Sequence, residues 1–223
     1  ARGGGPLLPV GVPDGEGANL PRTLERAPEA LLGAEREPHR HAPVPSQPLA
    51  WTPIAYILWD GLRPSLLTPD QQQALLDWLH WGGQIIVSGP SSSDVLRGSF
   101  LEPYLPALAT EAVRLQPADF DLLNQGWSLG NSRTKIKALL SVPPNKTLVG
   151  VRLQPHAEAT PLPSTGNLVW ERRIGAGRII LTGFSLADRP VVNWGSFDSF
   201  FNACLLRRPA RVRTPGAART PRG

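Results

Sequence analysis

The chain has 223 residues, among them 25 Pro, 22 Gly, 7 Trp and a single Cys, and a formal charge of +5. One cysteine excludes an internal disulfide framework and a multi-cysteine zinc site, and no apolar run approaches the ~18–20 residues that span a bilayer. The positive charge belongs to the end of the chain: Arg207, Arg208, Arg211, Arg213, Arg219 and Arg222 follow the last acid, Asp198. A nucleic-acid partner is therefore implied only by this Arg-rich tail, which lacks the interleaved aromatics of single-strand binders.

Residues 1–48 carry little hydrophobic periodicity and frequent Pro and Gly, and read as linker or disordered chain, with one brief helix from Leu24 to Leu32 at most. Residues 49–208 have the size of one domain. Residues 209–223 read as a basic disordered tail. The chain starts without Met and contains none, which suggests a piece of a larger product; any membrane association would come through segments outside this chain.

The first strand is expected at Ile54–Trp59, an apolar run ended by Asp60-Gly61. Thr68, Pro69 and Asp70 form a helix start. From there Ala74, Leu75, Trp78 and Leu79 make one apolar stripe as far as Trp81. Gly82 ends the helix, and Gln84–Ser88 forms a second strand, parallel to the first by a right-handed crossover. Ser91 to Asp94 then reads as a polar loop, and residues 109–147 as an inserted flap with helical pieces at 119–123 and 135–140. Strands are predicted at 147–153, 167–174 and 178–182, the last two joined as a tight hairpin by Gly175-Ala176-Gly177. Trp194, Phe197, Phe200, Cys204 and Leu205 fall at helical spacing in a closing helix. The expected fold is α/β with three layers: a mainly parallel, flavodoxin-like sheet whose strands at 54–59, 84–88 and 178–183 are central, and a C-terminal antiparallel hairpin.

Several of these features are similar to the glutamine amidotransferase-like (class I) α/β domain. They are the Trp59-Asp60 strand end, the Gln-rich helix running into Trp81-Gly82-Gly83-Gln84, the strand Ile85 to Gly89, the run Gly175 to Ser185 and the Trp194 to Phe201 closure. The resemblance covers roughly residues 50–207 and is strongest to non-catalytic versions in large bacterial, planctomycete-type envelope proteins. It implies an extracytoplasmic, membrane-associated setting, with a cytoplasmic one as the alternative. Catalytic members carry Gly-x-Cys-x-Gly after the strand that here ends at Ser88-Gly89, whereas this chain has Pro90-Ser91-Ser92. Near the last strand, where their His and Glu stand, the chain reads Gly183-Phe184-Ser185-Leu186-Ala187-Asp188. Nucleophile, base and orienting acid are missing from the expected places. Cys204 belongs to an apolar helix face and reads as a core residue.

No catalytic residue, cofactor or metal set is therefore assigned. His39 and His41 form an isolated pair without an evident third ligand. The Asn145-Lys146-Thr147 sequon is taken as incidental. What remains is a carboxylate cleft at the strand ends, where α/β sheets bind ligands. Its candidates are Asp60, Arg63, Ser88, Ser91, Asp94 and Asp188, suited to a small polar ligand or a cation. The competing account has Asp60 and Asp94 capping turns and Asp188 paired with Arg189 or Arg63. Trp51, Trp127 and Trp170 either mark a partner surface or fill the core. Two functions follow: a non-catalytic amidotransferase-like module that binds a protein partner or small polar ligand, or a hydrolase with a non-standard site at Asp60, Ser91 and Asp188.

Overall fold

The structure, a computed structural model, describes residues 42–129, 138–142 and 147–208. The N-terminal 41 residues with His39 and His41, the basic tail, Asn145 of the sequon and the piece at 135–137 lie outside the described residues.

Thr68 accepts the Gln71 backbone N–H on its hydroxyl, and the Gln71 side chain accepts the Thr68 N–H in return, so a reciprocal cap starts helix α1 (Pro69–His80). Its buried stripe is Gln71, Ala74, Leu75, Trp78 and Leu79. Strand β1 (Ile57–Trp59) is shorter than expected: Ile57 pairs with Ile85, so residues 54 and 55 fall opposite the Gly82-Gly83 turn that precedes β2, and the Ile54 carbonyl instead accepts the Trp78 indole N–H at 3.1 Å. Strand β2 (Gln84–Ser88) is buried at every position.

Ser91 begins a helix, α2 (Ser91–Leu96), where a loop was expected. Strand β3 (Ala107–Leu115) replaces the expected flap and pairs antiparallel with β4 (Leu148–Pro155) in a separate two-stranded sheet. A register shift between Ala109 and Glu111 breaks the alternation along β3, which is why its sequence does not read as a strand. Helix α3 (Asp121–Trp127) lies between them in the chain.

Strands β5 (Thr160–Pro161), β6 (Val169–Ile174) and β7 (Gly177–Thr182) complete the main sheet, whose order is β1-β2-β7-β6-β5. β1, β2 and β7 are mutually parallel, and β6 and β7 form the antiparallel hairpin expected from the sequence. β2 and β7 occupy the middle; β1, expected to be central, is an edge strand. The fold is thus a mixed α/β one with a mainly parallel five-stranded sheet beside an antiparallel ribbon.

Alternate residues of β2 and β7 feed two apolar clusters. Ile85, Val87, Ile179 and Leu181 pack with Trp51, Leu75, Trp78 and Leu79. Ile86 and Ile180 pack with Phe184, Trp194, Phe197, Phe200, Phe201 and Leu205. The closing segment is not one regular helix. A turn, α4 (Arg189–Val192), is followed by α5 (Phe197–Ser199), which widens into a π-helical turn over Phe200–Leu205. The packed chain also reaches back past residue 49. Ala42 is buried, and the Gln71 amide donates to the carbonyls of Ala42 (2.9 Å) and Val44 (2.7 Å).

Candidate functional site

Asp60 follows β1 directly, Ser88 ends β2, and Asp188 follows β7 by six residues. Since the three strands are parallel neighbours, their carboxyl ends lie together. The Ser88 side chain is fully buried; its oxygen accepts the Leu186 N–H at 3.0 Å, and its hydroxyl favours the charged form of the neighbouring Asp60 carboxyl. Ser88 thus anchors the loop after β7 beside the loop after β1. Asp188 opens α4, but its side chain makes no cap bond.

Both carboxyl groups are half-buried and sit above the ordinary aspartate range. For Asp60 the cause is burial, partly opposed by the Ser88 hydroxyl, which favours the charged form. For Asp188 the cause is burial and then the nearby Asp60 charge. Among the described residues neither forms an ion pair, so the expected pairing of Asp188 with Arg189 or Arg63 is not made.

The other candidates stay at the rim. Arg63 and Asp94 are exposed. Ser91 is also exposed, though its hydroxyl lies 3.9 Å from where a side-chain carbon on Gly61 would stand. Ser92, which sequence reasoning missed, does more: its oxygen accepts the Gly61 N–H at 2.8 Å and its hydroxyl donates to the Trp59 carbonyl at 3.2 Å. A Ser-Ser-Ser run read as a loop gives no sign that its middle member turns inward; only helical spacing after Pro90 does. Gly89 is required by close approach. Its N–H donates to the Thr182 carbonyl, and a side-chain carbon there would stand 2.3 Å from that oxygen. The Gly89–Pro90 bond is cis.

Among the described residues neither the thiol nor a histidine joins this group. Cys204 is 3 % exposed, and burial pushes its thiol up to about 12. His80 closes α1 at the opposite end of the sheet, its ring 2.7 Å from the Leu76 carbonyl. His156 lies beside Glu158. Among the described residues no three His, Cys, Asp or Glu side chains are placed to hold a metal ion. A surface depression lined by Leu139, Ser141, Arg189, Asn193 and Trp194 starts one residue beyond Asp188, and none of the six candidates lines it. Trp51 is buried; the indole N–H groups of Trp127 and Trp170 donate to backbone carbonyls.

These elements define an α/β domain with a pair of carboxyl groups at the ends of parallel strands. No known family model matches the chain, and no curated protein does. A cytoplasmic protein of Salmonella typhimurium LT2 matches in structure with a TM-score of 0.50 at 15 % identity, over 74 % of this chain and 75 % of that one. A second Salmonella typhimurium cytoplasmic protein gives 0.49 at 9 % identity, over 71 % and 73 % of the two chains. An exo-beta-1,4-mannosidase from Opitutaceae bacterium strain TAV5 gives 0.42 at 16 % identity, over 70 % of this chain and 26 % of that one. At 15 % identity the likeness to the first of these is one of fold alone.

Proposed function

We propose that the chain is a non-catalytic amidotransferase-like module, three-layered and flavodoxin-like, that binds a small polar ligand at the ends of β1, β2 and β7. In a larger assembly the same crevice would take a polar group of a protein partner. An extracytoplasmic, membrane-associated setting comes from the sequence resemblance alone; among the described residues no helix is long and apolar enough to cross a membrane.

The observation that carries this reading is the Asp60–Ser88–Asp188 arrangement. Two half-buried carboxyl groups share a corner of the sheet with no cation beside them among the described residues. Leaving them unpaired costs stability, and proteins keep such costs where a ligand relieves them. A ligand with a protonated amine or several hydroxyls would supply the missing donors. Amidotransferase chemistry lacks its parts among the described residues, since the thiol is buried and neither His80 nor His156 stands at the ends of β1, β2 and β7.

The test is a thermal-shift titration with glucosamine and putrescine. A rise in midpoint that disappears in Asp60→Asn/Asp188→Asn is expected. No rise, or a rise that survives both substitutions, would sink the proposal. A second reading, hydrolysis at Asp60, Ser91 and Asp188, is favoured by the raised carboxyl pair itself, which is how acid–base groups are tuned. Turnover of p-nitrophenyl esters or glycosides, lost in Asp60→Asn, would establish that reading in place of the first. Release of glutamate from glutamine is expected to be absent.

A further inference from the structure

At the other end of the sheet a buried polar cluster holds the last turn of the chain. Glu171 of β6 is 6 % exposed, and one of its oxygens accepts from the Arg207 guanidinium. Its second oxygen is buried without a hydrogen-bond partner and lies 3.9 Å from Arg178 Nη1. Arg178 also donates to Gln84 Oε1 at 2.9 Å, and Gln84 Nε2 donates to the Leu205 carbonyl at 2.8 Å. Arg208 stacks over the Tyr56 ring, 5.6 Å from its centroid.

The backbone held this way is irregular. Phe200–Leu205 has the π-helical turn that regular helices adopt only locally, and Arg207 stands at φ 51°, where a non-glycine residue is strained. Arg207 reaches Glu171 from this strained position with its side chain 42 % exposed. The geometry points to a strap: residues 200–208 open from the sheet as a unit without unfolding of β2 and β7, and the Arg207–Glu171 pair is the latch that keeps them closed. Opening loosens the apolar cluster that Phe200, Phe201 and Leu205 share with Tyr56, Leu58, Ile86 and Ile180. Neither Arg207 nor Glu171 belongs to the ligand site at the strand ends.

The chain supplies its own reporter. Cys204 is the one cysteine in the sequence, buried within the strap. Its thiolate attacks the disulfide of 5,5′-dithiobis(2-nitrobenzoate), forming a mixed disulfide and releasing one thionitrobenzoate, only when the strap is open. Arg207→Ala is expected to raise this rate roughly tenfold or more, the effect of removing a hydrogen bond to a buried charge. Amide exchange in β2 and β7 should stay unchanged. An unaltered thiol rate, or exchange in β2 and β7 that accelerates in step with it, would overturn the latch. In the unmodified protein the amides of residues 200–206 should exchange faster than those of β2 and β7, and equal protection would overturn the strap.

Discussion

Asp188 and Asp60 stand at the ends of parallel strands within reach of each other's charge, Asp188 raised first by its own burial and then by the charge of Asp60. A carboxyl whose folded value lies above its unfolded one binds its proton more tightly in the folded state. The cost of ionising it is absent below the unfolded value, near 3.8, and fully present once pH exceeds the raised folded value. Asp188→Asn removes that cost. The variant is expected to melt above the parent protein at pH 7, with the two midpoints converging as pH falls through the ordinary aspartate range. Asp60→Asn should act in the same direction, since burial raises that carboxyl too. Midpoints below the parent at pH 7 would show that the carboxylates stabilise the fold.

Trp78 lies directly over Gly83: a side-chain carbon there would come within 2.4 Å of the indole. Trp78→Ala is expected to cost about 3–5 kcal/mol in urea unfolding, since the residue is 96 % buried in effect, being 4 % exposed. Gly83→Ala should cost about 1–3 kcal/mol by overpacking. In the Trp78→Ala background that second cost should largely vanish, because the atoms it strikes are gone. Additive losses would contradict the contact.

Gln71 holds the first of the described residues in place. Its amide donates to Ala42 and Val44, and the Trp51 indole donates to the Pro45 carbonyl at 2.9 Å. A chain beginning at residue 49 loses all three acceptors and leaves a buried amide unpaired. It should be less stable than one beginning at residue 42 by about 1–3 kcal/mol. Equal stability of the two chains would place the packed boundary at residue 49.

Cys204 packs against the apolar cluster on the closing side of the sheet. Cys204→Ala should cost about 1 kcal/mol, the loss of one buried group, and should leave ligand-induced thermal shifts unchanged. Cys204→Ser should cost more, because it buries a hydroxyl. A change in ligand response in either variant would mean that the thiol takes part in function.

Local chemistry alone determined the α1 unit: Thr68, Pro69 and Gln71 cap the helix, the 3–4 spacing buries Trp78, and the apolar runs at 84–88 and 177–182 can only be interior strands. The β6–β7 hairpin was equally legible, because Gly175 leaves few ways for the chain to turn. Tertiary structure decided what depends on partners distant in sequence. β1 is cut short where its partner β2 has not yet begun, Ser91–Leu96 coils where a polar loop was expected, and β3 becomes a strand only by pairing with β4 across a register shift. The same holds for the candidate site. The sequence named Asp60, Ser88 and Asp188, but also Arg63, Ser91 and Asp94, since all six follow or flank strand ends. The parallel order of β1, β2 and β7 brings Asp60, Ser88 and Asp188 to one end of the sheet, and burial sets them apart from the exposed Arg63, Ser91 and Asp94, because the loops that cross a strand end decide which side chains they cover.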